Sequence, residues 1–318
     1  MSIYKVSVLV PIYNAENYIQ KCAHSLLAQT LESIEYVFVD DCSADKSISI
    51  LKTVIEQYPD RTNDIKIITH NVNKGISAAR QSAFDVATGE YLLAMDSDDY
   101  IETDMLESLY NHALANHSDM VFCDYISEFK NETKIRKIPF STDKKKQIEF
   151  AIRGNSALWN KIFKRSILVE NNIRTLTGID HGDDLAVLIK LLYHSNQISY
   201  LPKHFYHYIE SNQHSTTKKF KPKYIDDRLK LVNEVVVYLE KGGLTFQNEI
   251  LLMKSLRKAK ILMLTHGDKQ YVDLFPEINK HFMTLDMNIS LKLMLYISKI
   301  KNPLLQKYCF QLANFRNK

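Results

Sequence analysis

Cysteine, glycine, proline and tryptophan are all scarce in this chain, and long apolar runs are missing. The four cysteines, Cys22, Cys42, Cys123 and Cys309, form no Cys-x-x-Cys pair and have no histidine at metal-ligand spacing, which argues against a zinc site or a disulfide framework. With 8 Gly and 7 Pro in 318 residues, collagen-like and low-complexity classes are excluded. No stretch of about 18 uncharged apolar residues is present, so nothing reads as membrane-spanning. The run Val6–Ile12 is short and stops at polar Tyr13-Asn14, so it does not read as a secretory signal. These absences lead to the expectation of a reduced, cytoplasmic compartment. Charge of one sign is also lacking: a net +4 over the whole length is too weak to indicate a nucleic-acid partner.

What is present is a regular alternation. Val6–Val10, Tyr36–Val39, Ile65–Ile68 and Tyr91–Met95 are short β-branched or apolar runs. Between them Glu16–Ala28, Asp45–Gln57 and Ile76–Ala87 carry apolar residues at helical spacing. Strand and helix in repeated alternation predict an α/β fold, a mainly parallel sheet with helices on both faces. Ligands in such sheets lie beyond the carboxyl ends of the strands. Those ends are polar here: Pro11-Ile12-Tyr13-Asn14, Asp40-Asp41-Cys42-Ser43, His70-Asn71 with Asn73-Lys74-Gly75, and Asp96-Ser97-Asp98-Asp99. A further strand is expected at Met120–Cys123 after a helix Asp104–Asn116, then a charged edge excursion Glu128–Lys146. A helix from Asp183 and an extended aromatic segment Ile198–Ile209 follow. Strand signals stop near Lys218, which places a domain boundary in Ser215–Pro222: an α/β domain over 1–217 and a helical region over 218–318.

Asp96 and Asp98 leave an apolar strand on the same side. Two such carboxylates suit Mg²⁺ or Mn²⁺, which keeps positions open for phosphate oxygens. Taken alone, Asp-x-Asp is more often a turn or a helix cap.

The four segments Val8–Glu16, Val37–Asp45, Asn73–Arg80 and Gly89–Asp99 together, in this order and spacing, resemble the inverting glycosyltransferases of family two, whose catalytic domain has the GT-A fold. The resemblance implies a nucleotide-sugar donor, expected to be a UDP-sugar, held by Pro11, Tyr13, Asn14, Asp41 and Asp96, with Asp40 able to exchange roles with Asp41. Tyr13 can stack on a base, and Asp41 can accept from uracil or ribose. Arg80 matches a donor-site position, where it would neutralise phosphate or lock a carboxylate of the Asp cluster. Asp98, with Asp96, would hold the metal. Cys42 departs from the family, which commonly has Gly there.

The resemblance recurs around Trp159 and Asp184. Asp183-Asp184 takes the place of an acidic pair whose second residue is the catalytic base. One base suffices because the leaving group is already a nucleoside diphosphate. The plain alternative is that either Asp caps the helix. Trp159-Asn160-Lys161 resembles a segment of bacterial surface-polysaccharide members, with Trp159 either a sugar-stacking face or a core aromatic. His207 and His214 fall where members place acceptor or diphosphate contacts. The implied acceptor is a glycan or lipid-linked sugar; a sugar-phosphate nucleotidyltransferase, or a nucleotide-sugar binding module without catalysis, is the alternative function. Independently of the family, Ser290–Lys318 holds six basic and no acidic residues, +6 against −2 for the rest. Leu291, Met294, Leu295 and Ile297 form an apolar stripe there, which predicts peripheral docking on an anionic membrane or packing on the catalytic domain.

Overall fold

The computed structural model describes residues 4–179, 182–210, 223–265 and 268–300. Its centre is a sheet in which β1 (Val6–Ile12) lies between β2 (Ile34–Asp40) and β4 (Tyr91–Ala94), with β3 (Ile65–Thr69) outside β2. All of these neighbours pair in parallel. Their carboxyl ends therefore share one rim, as the alternation predicts. Beyond β4 the sheet turns mixed: β8 (Lys161–Lys164) runs antiparallel to both β4 and β6 (Met120–Glu128). Next come β9 (Ile198–Ile209), parallel to β6, and β5 (Tyr100–Ile101) at the edge. The charged excursion after Glu128 forms β7 (Thr133–Arg136), a hairpin partner of β6, and α5 (Lys144–Ile152).

Period-two alternation sorts β1 between two cores. Val6, Val8, Val10 and Ile12 pack with α1 (Ile19–Leu27), α2 (Ser47–Ile55) and α4 (Met105–Ala115). Leu9 faces the other side, with α3 (Ile76–Val86), α5, α6 (Arg165–Glu170) and α7 (Asp183–His194). The same second core takes in Leu231, Val235, Leu252, Leu262 and Met294 from α8 (Lys223–Glu240), α9 (Gln247–Leu264) and α10 (Ile289–Ile297). The C-terminal helices thus share a core with the sheet, while the expected boundary at Ser215–Pro222 lies outside the described residues. Among the described residues no helix is long and apolar enough to cross a membrane.

The end of the sheet opposite the rim is fixed by a buried acid. Glu35 accepts from Lys66 Nζ at 2.6 Å, Thr88 N at 2.7 Å and Thr88 Oγ1 at 2.9 Å, and also from Ser7 Oγ. Burial pushes its carboxyl up, but the bonds from Lys66, Ser7 and Thr88 outweigh that and hold it below its ordinary value.

Candidate functional site

The first two strand ends are tied together by side chains. Asn14 stands at φ 50° just past β1; its Oδ1 accepts from Ala44 N at 2.9 Å, and its own N–H donates to Ser43 Oγ at 3.2 Å. Pro11 lies buried within β1, whereas Tyr13 is 54% exposed at the rim. Asp40 closes the second turn by accepting from Ser43 N at 2.9 Å. Cys42 adopts φ 64°, the left-handed region that favours glycine. A residue with a Cβ therefore holds this conformation, at a cost of about 1 kcal/mol.

Asp41 is buried and braces the third loop. Its Oδ1 accepts from Lys74 N at 2.9 Å and lies 2.7 Å from His70 Nδ1, and its Oδ2 accepts from Gly75 N at 2.8 Å. Gly75, at φ 86°, starts α3, the helix that delivers Arg80. An oxygen of Asp41 still has a lone pair to offer, since a carboxylate accepts about four bonds.

Arg80 is the hub. It is buried, with Nη1 at 2.8 Å from Asp183 Oδ2 and 2.7 Å from Asp184 Oδ1, and Nη2 at 3.7 Å from Asp96 Oδ1. Of the two roles open to it in the sequence, the structure supports the lock on carboxylates. Burial disfavours its charge, but Asp184, Asp183 and Asp96 outweigh that and raise its pKa. Asp183 and Asp184 begin α7, whose N-terminus favours negative charge, yet neither side chain caps it. Asp183, with 3% of its side chain accessible, accepts instead from Leu176 N at 2.7 Å; Asp184 keeps 29% accessible. Gly182 makes this turn possible: φ is +97°, and an added Cβ would stand 2.6 Å from Leu231 Cδ2 of α8. The Asp pair therefore divides into an internal brace and a solvent-facing carboxylate.

Burial, with the charges of Asp184 and Asp98 added, pushes the Asp96 carboxyl up to about 7 against the pull of Arg80. Asp98 beside it is half-buried. Asp99 belongs to the scaffold: Oδ2 accepts from Tyr206 OH at 2.6 Å and Oδ1 from Ile209 N at 2.8 Å, tying the acidic turn to β9.

Three expected residues stand differently. Trp159 is 8% exposed and stacks on Tyr206 at 4.3 Å and Tyr208 at 5.5 Å, with Tyr125 edge-on at 4.9 Å. It is a packing aromatic under the rim, not an open platform for a sugar ring. His207 alternates with Tyr206 and Tyr208 and points away from the acids, between Glu128 Oε1 and Glu102 Oε1, each at 2.8 Å, with its ring stacked on Tyr100. The structure therefore does not bring His207 to the Asp183-Asp184 carboxylates. His214 lies outside the described residues.

Comparison with known proteins shows the family and the fold. The profile described as Glycosyl transferase family 2 matches residues 7–171. EpsH of Bacillus subtilis, named as a glycosyltransferase, is 31% identical over 75% of this chain and 70% of its own length. The chain belongs to glycosyl transferase family 2. A poly(ribitol-phosphate) beta-glucosyltransferase of Bacillus spizizenii is 32% identical over 64% of this chain, which spans 32% of that relative. A cholesterol galactosyltransferase of Borreliella burgdorferi is 31% identical over 64% of this chain and 59% of its own length. The S. aureus TarS 1–349 structure with UDP-GlcNAc superposes with TM-score 0.75 over 98% of this chain and 92% of that one, at 20% identity. That likeness establishes a shared fold: an α/β core of GT-A type with a helical C-terminal region.

Asp96 and Asp98 are the residues expected from the sequence to hold a divalent cation. Among the described residues no group of three His, Cys, Asp or Glu side chains is arranged to hold a metal. Two carboxylates nevertheless fit an ion that takes its other ligands from water and a diphosphate. Asp96, Asp183 and Asp184 gather around the guanidinium of Arg80, and Asp98 lies near enough to Asp96 to help burial raise it.

Sequence reasoning missed Lys161. It is fully buried on β8, donates to Ala157 O and Asn160 Oδ1, and lies near enough to Asp184 to feel its charge. Burial presses its ammonium down to about 7. Asn160 in turn donates to Cys123 O at 3.1 Å, so this pair fixes β8 and the loop before it beneath the acids.

Proposed function

We propose that this glycosyltransferase moves a sugar from a UDP-sugar to a hydroxyl of a glycan or lipid-linked acceptor in surface polysaccharide synthesis, with inversion at the anomeric carbon. One observation carries the reading: a partly exposed carboxylate, Asp184, and a donor-side carboxylate, Asp96, are held on the same guanidinium. That arrangement puts a base and a diphosphate-facing acid within one residue's reach. The bound ligand of the TarS structure and the acceptor in the name of the glucosyltransferase relative support the substrate classes. The β1 end, Pro11-Ile12-Tyr13-Asn14, is no Gly-rich phosphate loop, which weighs against a nucleotidyltransferase.

In this mechanism Tyr13 stacks on the base and the rim of Asn14 and Asp41 receives the nucleoside. Asp184, oriented by Arg80, accepts the proton of the acceptor hydroxyl as that oxygen bonds to the anomeric carbon. The bond from that carbon to the diphosphate breaks with its electron pair leaving on UDP. Asp98 and Asp96 would hold Mn²⁺ or Mg²⁺, which when bound neutralises charge on the departing diphosphate. In a calorimetric titration with UDP, Mn²⁺ is expected to tighten binding to the native protein and to have no effect on Asp98→Ala. Equal affinity with and without Mn²⁺ in both proteins would remove the metal from this site.

The reading also places the enzyme peripherally on an anionic bilayer. The stripe expected to face lipid does not: Met294, Leu295 and Ile297 are buried, and Leu291 packs beside them. The opposite face supports docking, with Ile289, Leu293, Tyr296 and nearby Met283 exposed beside Lys292 and Lys299. Co-sedimentation with phosphatidylglycerol vesicles is expected to fall at least about tenfold in Leu293→Glu/Tyr296→Glu. Unchanged binding in that variant would sink the membrane assignment.

A further inference from the structure

The C-terminal helices contain a group of cations for which the proposed chemistry has so far no use. Arg228 on α8 is buried, and its Nε has no hydrogen-bond partner. Its Nη1 has only a long bond, 3.3 Å, to Tyr224 O one turn back. Arg257 on the neighbouring α9 also has a buried Nε with no partner. Lys260, three residues on, shares the helix face of Arg257 and is exposed at the edge. The carboxylate of Asp227, buried next to Arg228 on α8, offsets part of the charge of Arg228.

Burial and the charge of Arg228 press Arg257 down to about 10, and burial with both arginines lowers Lys260. Arg228, Arg257 and Lys260 thus lie near enough to act on one another electrostatically. Two buried guanidinium nitrogens without acceptors are costly to folding unless an acceptor reaches them. Their place is equally informative. Leu231, one turn after Arg228 on the same helix face, is the residue against which Gly182 packs, and Gly182 immediately precedes Asp183-Asp184. Arg228 therefore stands about one helical turn, ~5 Å along α8, from the contact that sets the proposed base.

We propose that Arg228, Arg257 and Lys260 form a phosphate site that holds a phosphate or phosphodiester group of the acceptor while its hydroxyl lies at Asp184. This rests on the transferase reading and adds the acceptor's charge to it. Guanidinium groups suit the task because their planar donors grip phosphate oxygens in pairs, while Lys260 adds a mobile charge at the entrance. The donor diphosphate is served elsewhere, at the strand ends near Asp96 and Asp98.

The test uses the full chain with glycerol phosphate and UDP as separate calorimetric probes. Arg257→Gln is expected to weaken glycerol phosphate binding about tenfold or more and to leave UDP affinity within about twofold. Lys260→Gln, at an exposed position, checks the result in a variant whose fold is not at risk, with about a threefold loss expected. Native protein that binds UDP but not glycerol phosphate, or equal glycerol phosphate affinity in all three proteins, would overturn the site while leaving the transferase reading intact. Native protein that binds no UDP would instead count against the transferase reading. A parallel fall in UDP affinity would assign the cluster to the donor, and reduced binding of Arg257→Gln to phosphatidylglycerol vesicles would assign it to a bilayer headgroup; either contradicts the acceptor assignment.

Discussion

Asp184→Asn is expected to bind UDP-sugar as the native protein does and to lose about a thousandfold in transfer rate. The amide keeps the shape of the carboxylate and can still place an oxygen near Arg80, 2.7 Å away in the native protein. It cannot take a proton. Slow donor hydrolysis, followed as UDP release, reads the effect without the natural acceptor. Asp183→Asn should behave differently, because Asp183 is nearly inaccessible and holds Leu176 N. Its loss shows first as reduced stability. Full turnover in Asp184→Asn would move the base elsewhere.

Arg80→Ala is expected to cost about 3–5 kcal/mol of stability in urea denaturation, because it leaves the buried Asp183 without its cation and Asp96 without its neighbour. The deficit should depend on pH. In the metal-free protein Asp96, raised to about 7 from an ordinary 3.8, binds a proton in the folded state that it has lost in the unfolded state. Stability from this group is therefore greatest at low pH and falls as pH rises from about 4 through 7. Removing Arg80 takes away the charge that opposes the shift, so the variant should lose most above pH 7. A variant as stable as the native protein at pH 8 would mean that Arg80 is not the hub.

The strands that carry the proposed donor site were legible because each is a compact apolar run closed by polar residues, and parallel pairing brings such ends to one rim. The segment Ile198–Ile209 was equally plain. β8 was not, because Lys161–Lys164 sets only Ile162 and Phe163 between two lysines. Its strand character comes from pairing with β4 and β6, far apart in sequence. The acidic residues were found, but the division of labour between Asp183 and Asp184 was not, since it depends on which one Leu176 N reaches. The phase of α3, which one sequence does not fix, decides the role of Arg80. His207 is a different case: alternation along Tyr206-His207-Tyr208 already separates its face from that of the tyrosines. The cations of α8 and α9 gave no local signal, because they meet only when the helices pack.

The stereochemistry of turnover tests the central claim most directly. Proton NMR of the full chain with an α-linked UDP-sugar and Mn²⁺, recorded before mutarotation, should show UDP and the β-anomer as first products, with neither formed by Asp184→Asn. First appearance of the α-anomer, or pyrophosphate released from UTP and a sugar phosphate without any turnover of UDP-sugar, would contradict an inverting transfer at this site.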